Sequence, residues 1–283
     1  MNLFIDVLMD AAIDSIRMLP FLFAAFCFLE AMERHAGHFS QRVLTGIRGV
    51  GPLLGAVLGC VPQCGFSVLA ANLFSGGMIS AGTLLAVFLS TSDEAILMIM
   101  GRPESAGIVG KLLLVKVVIA VVAGYLTDLC FPQLFAGKKE IHDLCEKESC
   151  GCGHSHGVVL PAWNHTLKLF FYIFIFSACL NLVLEVVGIG KVESLFWSGS
   201  MFQPILTALI GFIPNCAASV LLTELYLEGV ISFAAAVAGL CTSAGVGLVV
   251  LWRVNRDKKE NLRLMGVLYG VAVVSGIILH WVQ

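Results

Sequence analysis

Gly59-Cys60-Val61-Pro62-Gln63-Cys64-Gly65-Phe66-Ser67-Val68-Leu69 is followed, 152 residues later, by Gly211-Phe212-Ile213-Pro214-Asn215-Cys216-Ala217-Ala218-Ser219-Val220-Leu221. Each copy sets Pro, a side-chain amide, Cys and Ser inside an apolar run. Proline has no N–H to give, so a helix must break there. The N–H groups freed just after it open a new short helix, whose N-terminus favours anions and electron-rich oxygens. The same offset pairs Cys27 with Cys179, Glu33 with Glu185, Pro52 with Pro204, Gly77 with Gly229, Ser80 with Ser232 and Gly124 with Gly276. A duplicated helix break in an apolar chain marks a candidate substrate site of a membrane carrier.

The composition places the chain in a bilayer. Hydrophobic residues make up 58% and charged residues 13%, about half the charge that a water-soluble domain carries. Ile13–Met32, Ile79–Met100, Ile108–Phe131, Leu167–Val187, Val230–Leu251 and Leu262–Trp281 reach spanning length, which is about 17–25 residues. Val43–Val61 and Leu195–Ile213 are long enough but interrupted by Gly or Pro, whereas Gly65–Ser75 and Ala217–Leu227 are half-length. Asp6, Asp10 and Asp14 precede the first apolar run where a secretory leader would be basic, so that helix is expected to stay. A net charge of −2 and the lack of any basic run give no footing for nucleic acid.

The expected architecture is an all-α polytopic membrane protein of two homologous halves. Residues 1–131 form the first repeat, 132–165 a polar Cys/His-rich linker and 166–283 the second repeat. If each broken pair is a re-entrant hairpin, each half crosses three times and the second half is inverted; if each pair crosses once, the repeats are parallel. The positive-inside rule does not choose. The parallel arrangement trades Lys138, Lys139, Lys147 and Lys168 inside for Arg102, Lys111, Lys116 and Lys191. Both arrangements keep the Arg253–Arg263 loop inside and the N-terminus outside. Inversion is favoured because the half-length segments cover only about half of a ~30 Å hydrocarbon core, and such half-helices are tolerated where they line a protein cavity. The broken helices would then meet near the midplane of the cell's inner membrane.

The candidate site gathers around the breaks. The two tips offer Gln63, Cys64 and Ser67 from one half and Asn215, Cys216 and Ser219 from the other; the bland alternative is a pair of proline kinks with polar residues tying down backbone. Ser90-Thr91-Ser92-Asp93-Glu94 interrupts a span with two adjacent carboxylates, which cost at least ~2.5 kcal/mol each at bilayer depth on insertion scales. Asp93 and Glu94 would bind a cation or exchange protons; Ser92 or Asp93 would otherwise serve only as a helix cap. The matched stretch, Cys241-Thr242-Ser243-Ala244-Gly245, keeps hydroxyls (Thr242, Ser243) but has no acid. Glu224, one to two turns past the second break, is a further candidate, with an interfacial position as the alternative. In the linker, Cys145, Cys150, Cys152, His154 and His156 are dense enough to hold a soft metal ion or trivalent arsenic. Their spacing fits no zinc-finger template, and a plain polar linker is the alternative.

At Pro62–Ser67, Phe88–Ala95, Ile213–Val220 and Leu222–Ser232 the chain resembles the ten-transmembrane heavy-metal exporter family, whose members are described as arsenic efflux proteins or manganese transporters. The likeness runs end to end and includes the linker. It implies ten membrane elements and export of a metal or metalloid. The expected activity is secondary, proton-coupled export of arsenite, antimonite or a divalent metal, with Cys64, Cys216, Asp93 and Glu94 as ligands. A manganese exporter using oxygen ligands and a carrier of small organic anions are the alternatives. No cofactor or catalysis is expected: no nucleotide-binding loop or nucleophile–base pair occurs. Lipid and the transported ion are the expected partners, and a homodimer is a candidate assembly.

Overall fold

The structure, a computed structural model, describes residues 49–61, 64–91, 93–100, 106–131, 202–214, 216–255 and 257–282, with single positions between 16 and 27 and between 163 and 175. Among these, every regular element is a helix. The first half supplies α1 (Gly51–Gly59), α2 (Cys64–Ser75), α3 (Ala81–Ser90), α4 (Asp93–Met100) and α5 (Ala106–Cys130). The second supplies α6 (Gln203–Gly211), α7 (Cys216–Leu227), α8 (Phe233–Thr242), α9 (Val246–Val254) and α10 (Lys258–Val282). Four of the five pairs start and stop at the same 152-residue offset; only α4 and α9 differ. Apart from those single positions, the expected spans at residues 13–32 and 167–187 and the linker lie outside the described residues.

Identical local chemistry produces the identical boundaries. Pro52 and Pro204 stand in the first turns of α1 and α6, where a missing N–H costs nothing. Gly77 (φ 72°) and Gly229 (φ 76°) end α2 and α7 in the left-handed region. The N–H of the next residue reaches back to Leu73 in one half and Leu225 in the other, satisfying carbonyls at the helix end. Three residues on, Ser80 and Ser232 cap α3 and α8 by accepting from Thr83 N–H (3.0 Å) and Ala235 N–H (3.2 Å). At the start of α10, the Asp257 carboxylate accepts from the N–H groups of Lys259 and Glu260, so this helix begins four residues before its apolar run.

α3 and α8 are buried along their whole length and form the middle of the molecule. Each lies between two helices of its own half: α3 against α1 and α5, α8 against α6 and α10. Small residues permit the close approach, as is usual where lipid removes the hydrophobic drive between helices. A methyl group on Gly124 would lie 2.8 Å from Pro52 Cβ, and one on Gly276 would lie 2.7 Å from Pro204 Cβ. The half-length helices cross over: α2 packs on α9 of the other half and α7 on α4, a reciprocal exchange. Among the described residues, three stretches are long and apolar enough to cross a membrane: Gly107–Cys130, Phe233–Val254 and Lys258–Val282. The outward sides of α5 and α10 expose Leu114, Val118, Val122, Val274 and Ile278.

The ends of α5 touch different helices. Near its start, the Lys111 ammonium lies 4.8 Å from the ring centre of Phe233, the first residue of α8. Near its end, the Asp128 carboxylate accepts from the Ser80 hydroxyl (2.8 Å) and the Gly82 N–H (2.6 Å) at the start of α3. These two contacts are 17 residues apart along α5, about 25 Å.

Candidate functional site

Four helix breaks come together in the interior. Those between α1 and α2 and between α6 and α7 are the proline breaks seen in the sequence. In both, the last turn tightens: Val61 N–H bonds Leu58 carbonyl and Ile213 N–H bonds Ile210 carbonyl. The break between α3 and α4 follows hydroxyl competition for the backbone. Ser90 donates to Ala86 carbonyl (2.8 Å) and Thr91 to Val87 carbonyl (2.7 Å). The break between α8 and α9 uses Gly245 at φ 53°.

Specific contacts join the breaks. At the end of α1, Gly59 lies against Ser90 and within 2.6 Å (for an added methyl) of Val87 carbonyl. Gly211, at the end of α6, holds the matched place against Thr242 and Gly239. The first turn of α2 meets the first turn of α9: a methyl on Gly247 would lie 2.7 Å from Ser67 Cβ. Thr242 donates to Ala208 carbonyl (2.8 Å), tying α8 to α6.

Of the expected site residues, Ser67, Thr91, Ser219, Thr242 and Ser243 are all buried here. Cys64 and Cys216 are the first residues of α2 and α7; Asp93 opens α4 and Glu94 follows it. Gln63, Ser92 and Asn215 lie outside the described residues, as do Cys145, Cys150, Cys152, His154 and His156 of the linker. Glu224 falls on an exposed side of α7, whereas its counterpart Asn72 is buried and bonds Val68 carbonyl. Among the described residues, no three His, Cys, Asp or Glu side chains form a ready metal cage. Cys60 and Cys241 are free thiols beside the breaks, and Cys60 donates to Ala56 carbonyl.

Lys116 escapes the sequence reading, which counts it with loop charges. It stands in mid-α5 and is completely buried. Its ammonium donates to Thr91 carbonyl, at the end of α3, and to Leu240 carbonyl (2.8 Å), in the last turn of α8. The Ala244 N–H that would close the next turn on Leu240 bonds Thr242 instead. An ammonium at bilayer depth costs about 2.5–3.5 kcal/mol on insertion scales, and charge-assisted bonds of about 1.5–3 kcal/mol each offset that cost. A lysine midway through a long apolar helix is the signal that could have found it.

A family model described as "Putative, 10TM heavy-metal exporter" matches residues 1–197 and 188–283, the whole chain. No curated protein and no solved structure matches.

Proposed function

The chain belongs to this family of ten-transmembrane heavy-metal exporters, and from that premise we propose that it is a secondary exporter of a trivalent metalloid, arsenite or antimonite, bound where the four breaks converge. The carrying observation is that convergence: each proline is followed two residues later by a cysteine that opens the next helix, and Cys60 and Cys241 stand beside breaks as well. Soft thiol ligands suit such cargo. Arsenite is a neutral oxyacid near neutral pH, and each thiol that replaces a hydroxyl group on arsenic releases one water. Proton coupling is assigned to Asp93 and Glu94, because carboxyl groups at bilayer depth usually do functional work.

The halves are read as inverted repeats. The support is that matched helices α3 and α8 begin at opposite ends of α5, beside Asp128 and Lys111, and that α2 and α7 are exchanged reciprocally between halves. Inversion gives alternating access a simple route, one repeat rocking against the other around a fixed site. It also makes the Cys/His-rich linker cytoplasmic, where its thiols stay reduced and able to capture cargo.

A manganese exporter is the second reading, favoured by the two carboxylates at the start of α4; Mn²⁺ would take oxygen ligands from them and from Gln63 and Asn215. Growth of an efflux-deficient bacterial strain expressing the chain, across graded arsenite, antimonite, Mn²⁺, Zn²⁺ and Cd²⁺, separates these. Selective protection by arsenite or antimonite efflux, with lowered cell-associated metalloid, is expected. Protection against Mn²⁺ alone would replace the thiol reading with the carboxylate one, and indifference to every ion would leave the organic-anion alternative.

A further inference from the structure

Lys116 is the largest fully buried side chain among the described residues, and the proposed transport site makes no use of it. Its ammonium is held by one carbonyl from each half, at the C-terminal ends of α3 and α8. Such ends carry partial negative charge, and a hard divalent cation needs oxygen ligands of this kind. Here an ammonium already sits on them.

The pseudo-symmetric place in the second half carries no charge. The matched position in the second half is Leu268, 1% exposed. It lines an apolar nook with Leu84, Phe88, Leu248, Leu251 and Leu264. A leucine therefore fills that place in one half while a charged residue fills it in the other.

We propose that Lys116 is a specificity-determining residue of the transport site: its ammonium, seated on the Thr91 and Leu240 carbonyls, excludes bare divalent cations from the converging breaks and admits a neutral or anionic oxyacid. Like charges repel strongly away from water, so a divalent ion entering beside Lys116 meets a barrier that a neutral oxyacid does not. This role rests on the reading of the four breaks as the transport site.

The test uses the full chain in proteoliposomes, with initial arsenite and Mn²⁺ fluxes measured side by side for wild type, Lys116→Gln and Lys116→Arg. Wild type is expected to carry arsenite, to carry Mn²⁺ no faster than the leak of empty liposomes, and to keep its arsenite flux in a large excess of Mn²⁺. Lys116→Gln is expected to lower the arsenite-to-Mn²⁺ flux ratio by at least about tenfold, and Lys116→Arg to keep the wild-type ratio even at a reduced rate. An unchanged ratio in Lys116→Gln overturns the role, since a purely structural lysine would lower both fluxes together. If Lys116→Gln does not fold, the wild-type competition decides alone: Mn²⁺ flux, or inhibition of arsenite flux by Mn²⁺, overturns the proposal. A wild-type chain that carries neither arsenite nor antimonite defeats the transport-site reading as well. Arsenite transport with selection independent of Lys116 defeats only the role given to Lys116.

Discussion

Glycines decide how closely the breaks approach, and two of them separate the causes cleanly. Gly59 meets Ser90 and the Val87 carbonyl, whereas Gly266 on α10 has open space around it. Gly59→Ala is expected to destabilise the protein by about 1–3 kcal/mol through overpacking against backbone. Gly266→Ala is expected to be neutral or to gain up to about 1 kcal/mol in helix propensity. Thermal unfolding midpoints of the two variants in one detergent check the contrast; equal midpoints would show that α1 does not sit against α3 as described. At this scale the sequence reveals the polar residues at the breaks, because Pro, Asn, Cys and Asp are conspicuous in apolar runs. Lys116 is less conspicuous: its place midway along an apolar stretch is the one signal, and its complete burial gives that signal its weight.

The helix ends follow rules that a sequence displays. Gly-x-x-Ser at 77–80 and at 229–232 stops one helix and starts the next, with a positive-φ glycine and a serine cap. Gly229 has nothing within 4 Å of an added methyl, yet its φ is 76°. Gly229→Ala should therefore cost about 1–2 kcal/mol from backbone strain alone, seen as a lower unfolding midpoint. An unchanged midpoint would mean that the turn relaxes out of the left-handed region. Ser232→Ala should cost about 1 kcal/mol by removing the cap, whereas Ser80→Ala should cost more, because Ser80 also donates to Asp128. The half-length of α2 and α7 is legible from the spacing between Pro and Gly. The second-half break is less so: the stretch from Phe233 to Val254 is apolar enough to pass for one span, and Gly245 interrupts it by conformation rather than by polarity.

For the whole molecule, the duplication is fully legible at the sequence level, since matched residues produce matched helix boundaries. The direction of the second half is not, because basic residues balance equally in both arrangements and no charge pattern breaks the tie. The inverted reading proposed above rests instead on the contacts of α5 with Ser80 and Phe233. Under inversion, the α2–α3 turn and the α7–α8 turn face opposite sides of the membrane. Met78→Cys and Val230→Cys are expected to react with an impermeant maleimide from opposite faces of the cell membrane, in a background without other accessible thiols. Labelling of both from one face would establish parallel repeats.

The two cysteines that open α2 and α7 carry the proposed metalloid binding. Arsenite flux into proteoliposomes holding the full chain should fall at least about a hundredfold in Cys64→Ser/Cys216→Ser, given what the loss of soft ligands costs, with the double variant as well folded as the wild type. Flux retained in that variant would contradict thiol coordination at the converging breaks.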